Sequence, residues 1–342
     1  VRPVLSHLEA GRVITRRLSQ RSDLDVCVKI GKEMNLYLGT DDGLAVFQGQ
    51  KEEWRPRYLR LAGQHVTAAA TAGARVWAGT TEGLWRSHDQ GKTWLPVQTG
   101  VDKLHVRALA IAPDPPDTLL VGGEPATVWL GRDGGETWVE APDVARLRDE
   151  HSWSLPYSPA AGCIRSFALA GRRVYAAAEV GGVLRSDDAG ATWQLLSGGI
   201  HADVHDVGVR PADPDLVFAA TGGGRYRTRD SGQNWQLIGD GYTRAVWLDP
   251  DRPEIVLSGP ARYVGAMGRL ERSTDGGDTW ALASDGFKVP MSDMIERFAG
   301  ADSHVLALTS DGALYTAKRG LWMWRRLELG LPPVRAMAVE GT

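Results

Sequence analysis

The sequence predicts an all-β protein, a seven-bladed β-propeller built from four-stranded blades. Three observations lead to it. An eight-residue pattern, S-x-D-x-G-x-T-W, occurs five times along the 342 residues. Marker tryptophans at positions 54, 94, 138, 193, 235, 280 and 324 follow one another at intervals of 40 to 55 residues, about the length of one propeller blade. Between the markers, short strand-like runs recur in one order with turn residues at each junction and no long helical pattern.

The repeated pattern has a mechanical reading. Ser87–Trp94, Ser186–Trp193 and Ser273–Trp280 are complete; Gly131–Trp138 lacks the leading Ser, and Thr228–Trp235 has Thr for Ser and Asn234 for Thr. Each is expected to be a tight turn between two strands. Its fifth-place Gly supplies a positive φ. The Asp carboxylate and the Ser or Thr hydroxyl accept hydrogen bonds from turn N–H groups, and the Trp opens the next strand and buries apolar area.

Taken in order, residues 1–22 read as an N-terminal arm, with one strand at Arg12–Leu18. Blade one follows as Val26–Ile30, Asn35–Thr40, Leu44–Phe47 and a strand opened by Trp54. The same order returns five times, with first strands at 66–70, 106–111, 165–169, 206–209 and 244–248. A last unit, 295–299 to Trp324, lacks the repeated turn. Val334–Val339 is one strand too many; it is expected to close the ring by pairing with the N-terminal arm, the alternative being an incomplete eighth unit. The whole of 1–342 is thus read as a single propeller domain.

Composition sets bounds. A net charge of −3 gives no pointer to nucleic acid, so no nucleic-acid partner is expected. No apolar run approaches the length of a membrane span. Forty-one Gly and 13 Trp are high, and the repeats account for both. Cys27 and Cys163 are read as buried free thiols rather than a bridge. No signal peptide is visible; a cytoplasmic monomer is expected, with a secreted or periplasmic location open if a leader has been removed.

The S-x-D-x-G-x-T-W turn is that of the Asp-box, or bacterial neuraminidase repeat, and the chain from about residue 25 resembles Asp-box propellers. That group includes sialidases, sortilin-type receptors, xyloglucanases and the photosystem II assembly factor. The resemblance implies the fold strongly and the function weakly, because this fold hosts enzymes, receptors and assembly factors. The Arg-Ile-Pro segment of sialidases does not occur. Xyloglucanases pair two propellers across a catalytic cleft, and this chain has one. The assembly factor, a lone propeller with an arginine-rich patch, fits in size. Bacterial Asp-box proteins of unassigned function, commonly labelled glycosyl hydrolase, share segments similar to Glu179-Val-Gly-Gly182, Asp203-Val-His-Asp206 and Trp153-Ser-Leu-Pro156.

Candidate site residues come from aligning the first strands, whose starts line one mouth of the channel. That places Cys27, Thr67, Arg107, Arg165, Asp206, Arg244, Glu296 and Arg335 at one level. Arg107, Arg165, Arg244 and Arg335 predict an anion-binding funnel, since a guanidinium is a fixed, planar, charged fork. The bland reading is that Asp206 and Glu296 pair with these arginines and hold the blades together. His105 sits near the ring as a rim residue. Glu179, Asp206 and His205 would supply acid and base if the mouth hydrolyses a polar substrate. The longest insertion, Val139–Cys163, should overhang the same mouth as a loop, with Trp153 and Tyr157 free to stack on a ligand. His65, His105, His201, Asp203, His205 and Asp206 approach a metal geometry on paper, but no metal is assigned and no cofactor can be named. Phosphate-loop, dinucleotide, Cys-x-x-Cys and G-x-S-x-G motifs are all missing.

Three functions follow from these residues. The leading expectation is a protein that holds an anionic small molecule or an acidic peptide in an arginine-lined funnel. The others are an enzyme acting on a carboxylate-bearing polar substrate at the same mouth, and a protein-interaction or assembly scaffold.

Overall fold

The computed structural model describes residues 33–340 apart from 51, 99, 113–117 and 158–160. Seven antiparallel sheets follow one another around a ring. The expected strand at 26–30, Cys27 and the N-terminal arm lie outside the described residues. No helix among the described residues is long and apolar enough to cross a membrane.

Blade 1 is shared between the two ends of the described chain. Val334–Val339 is its innermost strand and pairs antiparallel with Met34–Thr40, followed outward by Gly43–Gln50 and Glu53–Arg60. The ring is therefore closed by the C-terminal strand itself, docked on the strand expected to be second in blade 1. Blades 2 to 7 have inner strands Val66–Ala72, His105–Ala112, Cys163–Ala170, Val204–Arg210, Tyr242–Leu248 and Ile295–Ala301. Neighbouring inner strands touch all the way round. Blade 6 adds a short strand, Ala266–Gly268, paired with Val256–Tyr263. Val139–Cys163 is not a plain loop, for it contains a nine-residue helix, Pro142–Glu150, which Pro starts cheaply because its missing N–H would have had no partner there.

Burial explains the strand sequences. Second strands lie inside their blades with a neighbouring blade on each face. Met34–Thr40 and Arg173–Glu179 are accordingly buried at every residue but the first, which is why they read as unbroken apolar runs rather than alternating ones. The outermost strand Glu53–Arg60 faces water and is exposed or half-buried throughout.

The five repeated turns join third to fourth strands, on the face opposite the starts of the inner strands. In Ser87–Trp94 the Asp89 carboxylate accepts from Thr93 N–H (2.9 Å), Thr93 O–H (2.7 Å) and Ser87 O–H (2.8 Å), while Ser87 Oγ accepts from Gly91 N–H (2.9 Å). Trp94 Nε1 then donates to the Gly91 carbonyl at 3.0 Å. Gly91 is at φ +81° and lies against Val46 and Tyr37 of the preceding blade, so a side chain there is refused twice. Each turn is thus a clip between adjacent blades as well as a reversal.

A second glycine row works nearer the axis. Gly39, Gly79, Gly122 and Gly259 sit on second strands, where an added Cβ would run into Val66, Val106, Ile164 and Ile295 on the next blade's inner strand. Blades can approach this closely only where the side chain is a hydrogen. Gly79→Ala is expected to destabilise the protein by roughly 1–3 kcal/mol through overpacking against Val106. Chemical unfolding measures it, and a change within about 0.5 kcal/mol, the size of a neutral surface change, would show that this contact gives way.

Candidate functional site

The inner strands share an irregularity at their starts. Pairing between first and second strands skips a residue at Thr67, Arg107, Arg165, His205 and Glu296, at Arg335 in blade 1, and at Arg244 with Ala245 in blade 6. Each is a β-bulge, which frees one residue from the ladder and re-aims its side chain. Seven bulges at one level make the mouth of the channel.

This register corrects the sequence alignment. In blade 5 the bulged residue is His205, not Asp206, and in blade 1 the place belongs to Arg335. Asp206 lies one residue deeper. Its two oxygens accept from the backbone N–H groups of Val207 (3.0 Å) and, across to blade 6, Val246 (3.1 Å). Burial pushes its carboxyl up in spite of these bonds. Glu179 is shifted likewise. It falls one place beyond the row of Thr40, Thr80 and Thr221, opposite Cys163, at the level where Glu124 stands opposite His105 in blade 3.

Charge at the mouth is arranged in pairs. Glu296 gives one oxygen to Arg165 (2.9 Å) and the other to Arg244 (2.8 Å). Arg165 also reaches Glu179 at 3.2 Å, and the Cys163 thiol donates to the same Glu179 oxygen at 3.1 Å. Arg107 meets Glu124 at 3.1 Å, and Arg335 forks onto Asp41 at 3.0 Å from both nitrogens. Asp41 also meets His65 at 2.9 Å. Burial would raise Glu179, but Arg165, the thiol bond and the nearby His205 and Arg107 hold it below the ordinary carboxylate value. Burial, then Arg107, then His65 push His105 down to about 4, so its ring is neutral at neutral pH.

One guanidinium differs. Arg297, beside Glu296 on blade 7, has no hydrogen bond or ion pair among the described residues; Asp206 attracts it, but burial outweighs this and lowers its pKa. Alignment of one residue per blade could not find it. Its signal was the adjacent acid–base pair Glu296-Arg297, where the other blades carry Ala, Ser or Asp after the ring residue.

Two chambers meet at this belt. The outer funnel, about 370 Å³, is lined by His65, Thr67, His105, Arg107, Tyr157, Glu179 and Arg335. The inner chamber, about 240 Å³, is lined by Ser166, Phe167, His205, Asp206 and Phe298. Arg165, Arg244, Glu296 and Arg297 line both. Glu179 and Asp206 therefore face different chambers and do not form the expected acid–base pair. Tyr157 is 62% exposed and lines the funnel, whereas Trp153 is buried under the helix. Its ring packs on Gly181 and Gly162, where a side chain would clash, so Trp153 holds the insertion down and offers no stacking face.

No protein-family model and no curated protein matches the chain. Solved structures do. A xyloglucanase from Xanthomonas campestris is similar over 90% of this chain and 52% of its own, at 18% identity and TM-score 0.66. A structure described as YCF48 bound to D1 peptide is similar over 83% and 89%, at 17% identity and TM-score 0.61. YCF48 from Cyanidioschyzon merolae gives 17% identity and TM-score 0.58. The chain spans about half the length of the xyloglucanase. At these identities the likeness shows the fold, a seven-bladed β-propeller.

The belt carries a pH prediction. Arg165 and Arg244 overcome the effect of burial and hold Glu296 at about 2, against its ordinary 4.5. A folded value below the unfolded one means that the stabilisation is present above pH 4.5 and is lost as pH falls toward 2. Glu296→Gln should cost roughly 3 kcal/mol at neutral pH. The gap to wild type should shrink through that acid window; unfolding at several pH values measures it, and a gap independent of pH would contradict the ion-pair account.

Proposed function

We propose that this chain is a binding protein of the Asp-box propeller kind whose funnel holds a carboxylate-bearing ligand, as a small molecule or as an acidic peptide segment. The five S-x-D-x-G-x-T-W turns support the kind. Arg297 carries the function. Arg107, Arg165, Arg244 and Arg335 each have a carboxylate of their own, so they order the mouth without leaving a vacant fork. Arg297 is the guanidinium still open at the floor of the funnel.

The setting suits recognition. A ligand carboxylate on Arg297 would lie among the edges of Arg165 and Arg244, in a space partly closed to water, where charge-assisted hydrogen bonds are strong. The funnel's size falls in the range of small-molecule sites. Tyr157 at the rim offers an aromatic face. A propeller of similar fold is described as bound to a peptide, which suits an extended acidic ligand. No observation favours hydrolysis, since Glu179 is held ionised by Arg165 and Asp206 faces the other chamber.

Calorimetric titration with mono- and dicarboxylic acids, sugar acids and a short acidic peptide tests the reading. Arg297→Gln keeps much of the bulk and removes the charge. Binding should weaken at least tenfold in that variant, equivalent to about 1.4 kcal/mol, while Arg325→Ala on the outer edge leaves it unchanged. Equal binding by Arg297→Gln and wild type, or no binding by any acid, would overturn the proposal. Arg165→Ala is a poor probe, because it leaves Glu179 without its guanidinium and Glu296 with one of its two.

A further inference from the structure

We propose that Glu179, Asp203 and His205 form a site for one divalent transition-metal ion of the zinc or manganese class, in the wall between blades 4 and 5. One oxygen from each carboxylate and one ring nitrogen of His205 lie within 4.8 Å of one another. Rigid elements hold the outer two: Glu179 ends the second strand of blade 4, and His205 is the bulged residue of the inner strand of blade 5. Asp203 immediately precedes that strand.

The second observation concerns the hydrogen bonding of His205, whose side chain is wholly buried. Its Nδ1 lies 2.8 Å from the Thr243 carbonyl oxygen. That oxygen can only accept, so Nδ1 carries a proton and Nε2 is the ring nitrogen left for another partner. Nε2 faces Tyr242 O–H at 3.1 Å, which can donate to it, and Asp203 Oδ1 at 3.0 Å, which cannot. Two such atoms this close need a cation between them, a proton or a metal ion. A backbone carbonyl on one ring nitrogen is the usual way in which a metal-bound His is oriented through the other. Here the other nitrogen meets Asp203 directly, with Glu179 in the same cluster.

The surroundings supply the remaining supports. The Cys163 thiol bonds Glu179 from behind, and Arg165 fixes the same carboxylate. One imidazole and two carboxylates suit zinc or manganese better than calcium or magnesium, which prefer all-oxygen sites. Drawing the donors to bonds of about 2.0–2.2 Å would leave further positions for water.

The test does not depend on the carboxylate reading, because it uses metal alone. Protein treated with chelator and desalted is titrated with zinc or manganese chloride by calorimetry, and cobalt(II) absorption reports the donor set. One equivalent should bind. Asp203→Asn should weaken binding at least tenfold, and His205→Gln should abolish it and change the cobalt spectrum. Should His205→Gln fail to fold, the partly exposed Asp203→Asn still decides the matter. Absence of stoichiometric binding, which would leave a proton as the cation between His205 and Asp203, overturns the proposal. So does binding that Asp203→Asn leaves unchanged, which would place the ion elsewhere.

Discussion

A ring of sheets has no open edge only while its first and last members are joined, and here the join is one strand. Val334–Val339 pairs with Met34–Thr40 over nearly its whole length. Inner strands are the ones without side-by-side partners on the axis, so a missing inner strand in blade 1 would leave both a backbone edge and the flank of blade 7 in water. The pairing also has a chemical consequence. It carries Arg335 to the mouth and sets it on Asp41, the residue just after the paired strand, so closing the ring and completing the charged rim are one event.

How blades meet decides how the mouth is built. Boxed turns clip the lower face, and the glycine row admits the next blade's Val or Ile near the axis. The inner strands do not run as perfect ladders to their ends. Each gains a bulge at the same level, and the residue freed by each bulge becomes a rim residue. Position in the bulge, rather than residue type, makes His205 and Glu296 members of the mouth and leaves Asp206 to bind backbone amides between blades 5 and 6.

Parts of this were legible in the chain alone. The turns were, because their bonds run within eight residues and need only those residue types in that order. Blade number was, because seven marker Trp residues, five of them closing a turn, each mark a blade. The closing partner was not, since a strand at 334–339 carries no mark of whether it pairs with residues 26–30, an arm, or residues 34–40. The site was half legible. Arg107, Arg165, Arg244, Glu296 and Arg335 stand where alignment put them, because each is bulged at the start of its inner strand. Asp206 was displaced by the two-residue ambiguity of Val204-His205-Asp206. Trp153 was misread because an aromatic in a long insertion looks the same in sequence whether it faces a ligand or fastens a helix. Pairing of Glu296 with neighbouring arginines was foreseen, but the partners Asp41, Glu124 and Glu179 were not, since they come from second strands and their ends.

That pairing bears on what kind of recognition this mouth can support. Five bare guanidiniums around one small space would repel one another strongly, and burial would add its own cost. Carboxylates from neighbouring strands cancel most of that, and they also fix each fork in place, so little ordering remains when something binds. Such a mouth discriminates by position more than by total charge. Glu296 illustrates it, for it occupies the space between Arg165 and Arg244 much as a bound carboxylate would, and thereby keeps that pair from acting as a general anion trap. What remains open is the adjacent Arg297, on the shared boundary of two chambers, which the proposed ligand would reach past Tyr157 and the rim. On the proposed reading, specificity would lie in which guanidinium the protein leaves without a carboxylate of its own.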